Sequence, residues 1–271
     1  MNKHERAFTA TVWQFYDQHG RHTLPWRHTT DPYKILVSEM MLQQTQVDRV
    51  LSKYQHFLEQ FPQVSALAVA PLASVLRQWQ GLGYNRRARF LHETAKRLVQ
   101  ESEGVFPKCR EALMTLPGIG PYTAAAVTVF AYNAPVCLVE TNVRQVYLHH
   151  FFKTDALVSD EDILALVKKT LPEENFREWF WALMDYGSTL KRQYGNRNVQ
   201  SKQYTKQTVF KDSNRQIRGL IIKTLSVGGG QTVHSIQKQL PTHVQSRVRA
   251  QLQALTTEGL ISSSKHKYYL G

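Results

Sequence analysis

Along most of the chain, apolar residues return every three or four positions, and capping residues punctuate that repeat. Asp31-Pro32 puts an N-cap residue before a proline at the first helical position. A helix should open there and carry Ile35, Leu36, Val37, Met40, Met41 and Leu42. Thr45-Gln46-Val47-Asp48 has the capping-box pattern, so the chain should break near Gln44 and restart at Thr45, burying Val47, Val50, Leu51, Tyr54 and Leu58. Further helices are expected over 71–80, stopped by Gly81 and Gly83, over 86–100 towards Gly104, behind the cap Ser159-Asp160-Glu161-Asp162, and from Pro172 to near Leu190. Nothing in this stretch alternates as a strand does. The fold class is all-α.

The pattern changes at about Lys191. From there to Gly219, eight lysines and arginines face a single acid, Asp212, which reads as an irregular segment lying on phosphates or as a solvated linker. Residues 214–271 form a separate pattern. Ile217, Leu220, Ile221 and Leu225 mark one helix, 233–240 a second and 244–258 a third, and GLISSSKHKYYLG reads as a β-hairpin. Three helices and a hairpin make a winged helix. Its third helix carries Arg247 and Arg249, as a DNA groove reader would, although winged helices also dock proteins.

Charge narrows the partner. Lysine and arginine number 34 against 21 acids, a net +13, which favours a polyanion, nucleic acid first. Two cysteines, Cys109 and Cys137, cannot make a four-thiolate cluster. No apolar run suits a membrane span, and the start lacks a signal-peptide core, so a cytoplasmic, nucleoid-associated monomer is expected.

Three local patterns carry chemistry. In LMTLPGIGPYTAAAV (113–127) a helix enters Pro-Gly-Ile-Gly and leaves through Pro121 at N1 of the next. Gly118 and Gly120 open backbone conformations closed to other residues, and free amides at that helix start can bind a phosphate. This is a helix-hairpin-helix, a sequence-independent grip on DNA, or an ordinary tight turn. Glu39 is an acid among apolar neighbours, followed abruptly by Gln-Gln-Thr-Gln. Glu140 follows a second apolar run just ahead of a helix, where it could cap free amides. Two such acids suit cleavage of an N-glycosidic bond, one donating a proton to the leaving base and the other stabilising the sugar cation.

WRHTTDPYKILVSEMMLQQTQV, GLGYNRRARFLH, LPGIGPYTAAAV and ETNVRQV together resemble the helix-hairpin-helix DNA glycosylases over residues 5 to 190, most of all the MutY adenine glycosylases. The resemblance implies a two-lobed fold, with 1–30 and 137–195 as one helical lobe and 31–136 as a six-helix barrel; the residue pattern beyond it gives 196–213 as a basic linker and 214–271 as the winged helix. It makes Glu39 the general acid and Glu140 the stabilising carboxylate. It places Gln44 as a wedge in the duplex, Thr45 against the base opposite the lesion, Tyr84 inserted beside it, and Trp26 and Arg27 around the flipped base. Gln43, Arg86, Gly118 and Gly120 join the DNA contacts. A structural Na⁺ or K⁺ on the carbonyls of Met114, Leu116 and Ile119 is implied too. The flipped base costs a few kcal/mol of unstacking.

The chain departs from that family in three places, and one further position limits the reaction. Glu140 stands where relatives usually have aspartate. The stretch in which most carry an iron–sulfur cluster is the cysteine-free KRQYGNRNVQSKQYTKQ, where Arg192, Arg197, Lys202 and Lys206 would take over phosphate contacts, so no cofactor is expected. The usual Nudix-like tail is replaced by the winged helix. Tyr122 occupies the position at which strand-nicking relatives carry a Schiff-base lysine, which implies a monofunctional enzyme. A mismatch thymine or uracil glycosylase, or a non-catalytic DNA-binding protein, remains the alternative.

Overall fold

Side-chain caps set several of the helix starts in the computed structural model, which describes residues 1–154, 156–206 and 209–271. The helices are α1 (Lys3–His19), α2 (Pro32–Leu42), α3 (Val47–Gln60), α4 (Val64–Val69), α5 (Leu72–Gln78), α6 (Arg86–Ser102) and α7 (Arg110–Met114). They continue as α8 (Pro121–Tyr132), α9 (Thr141–Phe151), α10 (Asp160–Thr170), α11 (Phe176–Tyr194), α12 (Asn214–Ser226), α13 (Val233–Lys238) and α14 (Val248–Thr257). Strands β1 (Gln231–Thr232), β2 (Ile261–Ser264) and β3 (Lys267–Leu270) follow the tail's own order.

Asn2 and Glu5 form a reciprocal capping box at α1, and Ser159 and Asp162 another at α10. The Asp31 carboxylate accepts from the Tyr33 amide at 2.9 Å, and Pro121 sits at N1 of α8 behind Gly120. Three expected starts move, the tail helix expected from 244 beginning at Val248 after a 3₁₀ turn over Thr242–Arg247. Gln46, not Thr45, is the N-cap of α3, because the Thr45 hydroxyl is drawn away to the carbonyls of Gln43 and Leu82. Pro172 does not open α11. That helix begins at Phe176 because Asn133 Oδ1 accepts from the Arg177 amide at 3.0 Å, fixing the first turn there.

The chain divides into two compact units whose boundaries differ from the composition-based ones. The first holds Met1–Ile35, Pro107–Met114 and Ile119–Lys206. Here α11 packs along α9 and α1 around Phe8, Tyr147 and Trp179. Gly187 of α11 is required by this packing, since a Cβ there would stand 2.7 Å from the Asn142 carbonyl carbon at the start of α9. The basic segment is not irregular throughout. Residues Arg197–Gln200 form a 3₁₀ turn that packs on α9, with Asn198 and Gln200 buried.

The second unit holds Leu36–Phe106, Thr115–Gly118 and Gln207–Gly271. Helix α6 packs on α4 and α5, and the tail joins the same body, α12 and β3 both lying against α5. The tail is a winged helix with one more strand than expected. Its antiparallel sheet runs β1-β3-β2, with Gln231 facing Tyr268 and Ile261 facing Leu270. A two-residue β1 is too short to show alternation in sequence. Gly219 lies in the interior of α12, where glycine costs about 1 kcal/mol against alanine, yet a Cβ there would meet nothing within 4 Å.

Candidate nucleic-acid interface and active site

In the second unit, Glu39 sits one turn before the end of α2 and is 6 % exposed, between Leu36 and Met40, each at 1 %. The helix ends at Leu42 and the next residues change character. Gln43 is half-buried, Gln44 is exposed in a left-handed turn (φ 55°), and Thr45 is half-buried. Asparagine and glycine tolerate φ > 0 best, so Gln44 and Tyr84 (φ 48°) are both held in costly conformations.

What holds them is Arg87, a residue for which sequence reading gave no role. Its buried guanidinium donates to the carbonyls of Met40 (2.6 Å), Met41 (3.0 Å) and Gln43 (2.6 Å), and to those of Leu82 and Gly83 (both 3.0 Å). It also donates to the Thr45 hydroxyl at 3.2 Å. One cation thus ties the end of the Glu39 helix to the GLGY loop, with its charge at the negative pole of α2. Burial lowers its pKa from the ordinary guanidinium range to about 10, partly offset by Tyr84, so it stays charged at neutral pH. The signal was present: Arg87 shares a helical face with the buried Leu91, Thr94 and Leu98. Arg86, the neighbour singled out from sequence, points outward with 60 % of its side chain exposed.

The hairpin glycines divide. Gly118 has φ +71°, and a Cβ there would stand 2.6 Å from Phe90 Cγ, so both backbone and space demand glycine. Gly120 corrects the expectation. Its φ of −87° is open to any residue and a Cβ would meet nothing within 4 Å. Only an approaching partner could require its smallness. The Thr94 hydroxyl donates to the Pro117 carbonyl and Arg97 to that of Thr115, both at 2.8 Å, which fixes the loop on α6. Leu116 and Ile119 are buried, while Met114 is exposed.

In the first unit, Glu140 is the N-cap of α9. One carboxylate oxygen accepts from the amides of Asn142 (2.7 Å) and Val143 (2.8 Å), and the other from Asn142 Nδ2 (3.2 Å). Burial pushes its pKa above the ordinary value, and the two amides, Arg144 and the Asn142 side chain pull it back. Arg144 is itself fixed by Asp160, with two bonds of 2.7 Å. The position is therefore built to receive negative charge at a helix start, and Gly187 fixes where that start lies.

Other expected residues take different places. The side chain of Arg27 is 4 % exposed and grips Asp185 through two bonds of 2.8 and 2.9 Å, beside Arg21. Burial alone would raise the Asp185 carboxyl, but the bond and charge of Arg27, with Arg21 behind them, hold it below the usual range. Arg27 is thus a structural clamp between the Pro25–Arg27 turn and α11, because its fork is committed to a buried acid. Trp26 is buried in the same turn and Tyr122 is half-buried on α8.

Arg197 also differs from expectation. Its guanidinium goes to Gln200 Oε1 (2.9 Å) and the Phe152 carbonyl (3.0 Å), which stitches its own segment to the end of α9. Gln145 continues that stitching by bonding the Arg197 amide, Asn198 and the Gly195 carbonyl. Arg192, Lys202 and Lys206 are exposed, Arg192 with a bond to Thr189, and these three remain able to meet phosphates. Among the described residues, no cluster of three or more His, Cys, Asp or Glu could hold a metal. Nor is any described helix long and apolar enough to cross a membrane.

Residues 37–173 match the family model for the HhH-GPD superfamily of base excision DNA repair proteins. The chain is 37 % identical over 188 residues to the adenine DNA glycosylase of Buchnera aphidicola subsp. Baizongia pistaciae, covering 68 % of this chain and 53 % of that one. It is 46 % identical over 179 residues to the adenine DNA glycosylase of Mycolicibacterium smegmatis, covering 65 % and 60 %. The chain thus spans between half and two thirds of the length of these curated relatives. Among solved structures, a thermostable thymine-DNA glycosylase aligns at 27 % identity with a TM-score of 0.61, covering 69 % of this chain and 87 % of its own.

Proposed function

Since the chain belongs to the HhH-GPD superfamily of base excision DNA repair proteins, we propose that it is a monofunctional DNA glycosylase acting on mispaired adenine in duplex DNA. Adenine opposite 8-oxoguanine or guanine is its substrate in this reading. The observation that carries it is the burial of Glu39 in an apolar helix end, beside a turn in which Gln44 and Gln46 are exposed. A solvated helix has no use for such an acid, and a core has no use for the residues that follow.

The flipped adenine takes a proton from the Glu39 carboxyl and leaves as neutral base. The C1′–N9 bond breaks towards an oxocarbenium-like sugar. Glu140, as the carboxylate that its three donors favour, stabilises that cation until water adds. Tyr122 cannot form a Schiff base, so the product is an intact abasic site. The exposed Gly120 amide and its neighbours at the α8 start meet a backbone phosphate. Gln44, Thr45 and Tyr84 face the base left behind. An alkali cation on the carbonyls of Met114, Leu116 and Ile119 fits this reading, because neutral oxygens suit a hard cation of low charge, and it would brace the hairpin without entering the reaction. No redox cofactor takes part, and the protein works as a monomer on chromosomal DNA.

The likeness to a thymine-DNA glycosylase gives the second reading, removal of thymine or uracil opposite guanine on the same scaffold. A panel of duplexes with A opposite 8-oxoguanine, A opposite G, and T or U opposite G, treated with alkali to reveal abasic sites, separates the two. Excision of T or U without A selects the second. Glu39→Gln should abolish excision and keep duplex affinity, whereas retained excision removes Glu39 from the mechanism.

A further inference from the structure

A cavity of about 490 Å³ opens in the second unit, within the range of about 300–1,000 Å³ that suits a small organic ligand. One side is formed by Gln43, Gln44, Tyr84 and Phe90. Arg215, Arg218 and Gly219 of α12, from the winged helix, line it too, with Arg215 in contact with Tyr84. Rings, amides and guanidinium groups together are the set that recognises a nucleotide, by stacking, base-edge hydrogen bonds and charge.

Three features of this wall bear on what it could hold. Arg218 is oriented by Glu258, which takes both of its terminal nitrogens. Arg215 lies over the Tyr84 ring, 5.2 Å from its centroid, and donates to the Tyr84 hydroxyl. Gly219 weakens its helix, and neither φ nor an intramolecular neighbour explains it. A side chain there would project into the cavity instead.

We propose that α12 is the recognition wall for the nucleotide opposite the excised base, with Arg215 and Arg218 as specificity residues and Gly219 kept small to admit it. This rests on the reading of Gln44 and Tyr84 as contacts to that nucleotide. The winged helix thereby acts as a reader of the lesion's partner, beyond a general grip on phosphates.

The experiment measures the affinity of the full chain for duplexes with a tetrahydrofuran abasic analogue at the target position and each of G, 8-oxoguanine, A or C opposite. A fully paired duplex is the control. Gly219→Ala should raise Tm by roughly 2–4 °C and leave affinity within about twofold. Gly219→Leu should keep Tm at or above wild type, lose about tenfold for the preferred opposite base, and compress the differences among opposite bases, with fully paired DNA unaffected. Arg215→Gln, at the first turn of α12 and away from its interior, should give the same compression, and it decides the matter if the leucine variant folds poorly. Unchanged preferences in both overturn the proposal. So does tighter binding of every duplex by the leucine variant, which would make α12 a cover over the interface. Since no excision is measured, a failure of the glycosylase reading would show separately, as absent base release in the wild type.

Discussion

Replacing Arg87 by methionine tests whether one cation organises the loops around Glu39. The side chain fills a similar volume, so packing against Trp79 and Tyr84 is largely kept. What goes is six hydrogen bonds; the Met40 and Met41 carbonyls lose the Arg87 donor, while those of Gln43 and Leu82 keep the Thr45 hydroxyl and that of Gly83 keeps Trp79 Nε1. Burying the charge has its own cost, which shows in the fall of its pKa to about 10. Removal relieves that cost but strands buried neutral acceptors, each at about 1–3 kcal/mol, for a net loss of roughly 3 kcal/mol. Urea denaturation should show that loss, and Tm should fall by roughly 10 °C. Arg87→Lys, with three donors on one nitrogen, should recover part of it. Native-state hydrogen exchange at Gln44 and Tyr84 should rise in both variants, because their left-handed turns lose their tether. A methionine variant within about 1 kcal/mol of wild type, with exchange there unchanged, would refute the argument.

Three further outcomes are expected. Asn142→Ala removes a donor to the Glu140 anion, so the Glu140 pKa should climb further and the acid limb of single-turnover excision should move to higher pH; an unmoved limb would detach Glu140 from catalysis. Gly118→Ala should lose at least about 1 kcal/mol in a denaturant titration through its positive φ and Phe90, while Gly120→Ala should leave stability intact and weaken duplex binding in fluorescence anisotropy. His150, packed with Phe8 and Tyr186, has its pKa lowered to about 4 by burial and by His149 and His4. The folded state therefore binds its proton less readily, and stability should be full above pH 6.5 and fall by at most about 3 kcal/mol as pH drops towards 4; His150→Gln should flatten that slope in pH-dependent melting.

Helix existence and the two acids were legible because they depend on local pattern: Asp31-Pro32, Ser159 to Asp162 and Gly120-Pro121 each act within a single turn. Glu39 stood out through its neighbours alone. Residues whose role depends on distant acceptors were not legible. Arg87 finds carbonyls more than forty positions away, and Arg27 finds Asp185 at a separation of 158. The same limit moved the start of α11, whose capping acceptor, Asn133, lies on another helix end. Thr45 looked like a cap because the motif reads four residues, whereas its hydroxyl answers to Leu82. The organisation of the tail was misplaced for a related reason. Composition changes near 191, but packing joins the winged helix to the body formed by residues 36–106.

That joint limits how the protein could be re-engineered. Glu258 binds Arg218 and lies near Arg86 through its carboxylate, and it holds Arg89 on its carbonyl; Gly271 meanwhile packs on Ala73. The tail is consequently no interchangeable cassette. A chimaera carrying another protein's ending would leave Arg89 and the α5 surface facing a stranger, and would fold well only if those positions were redesigned along with it.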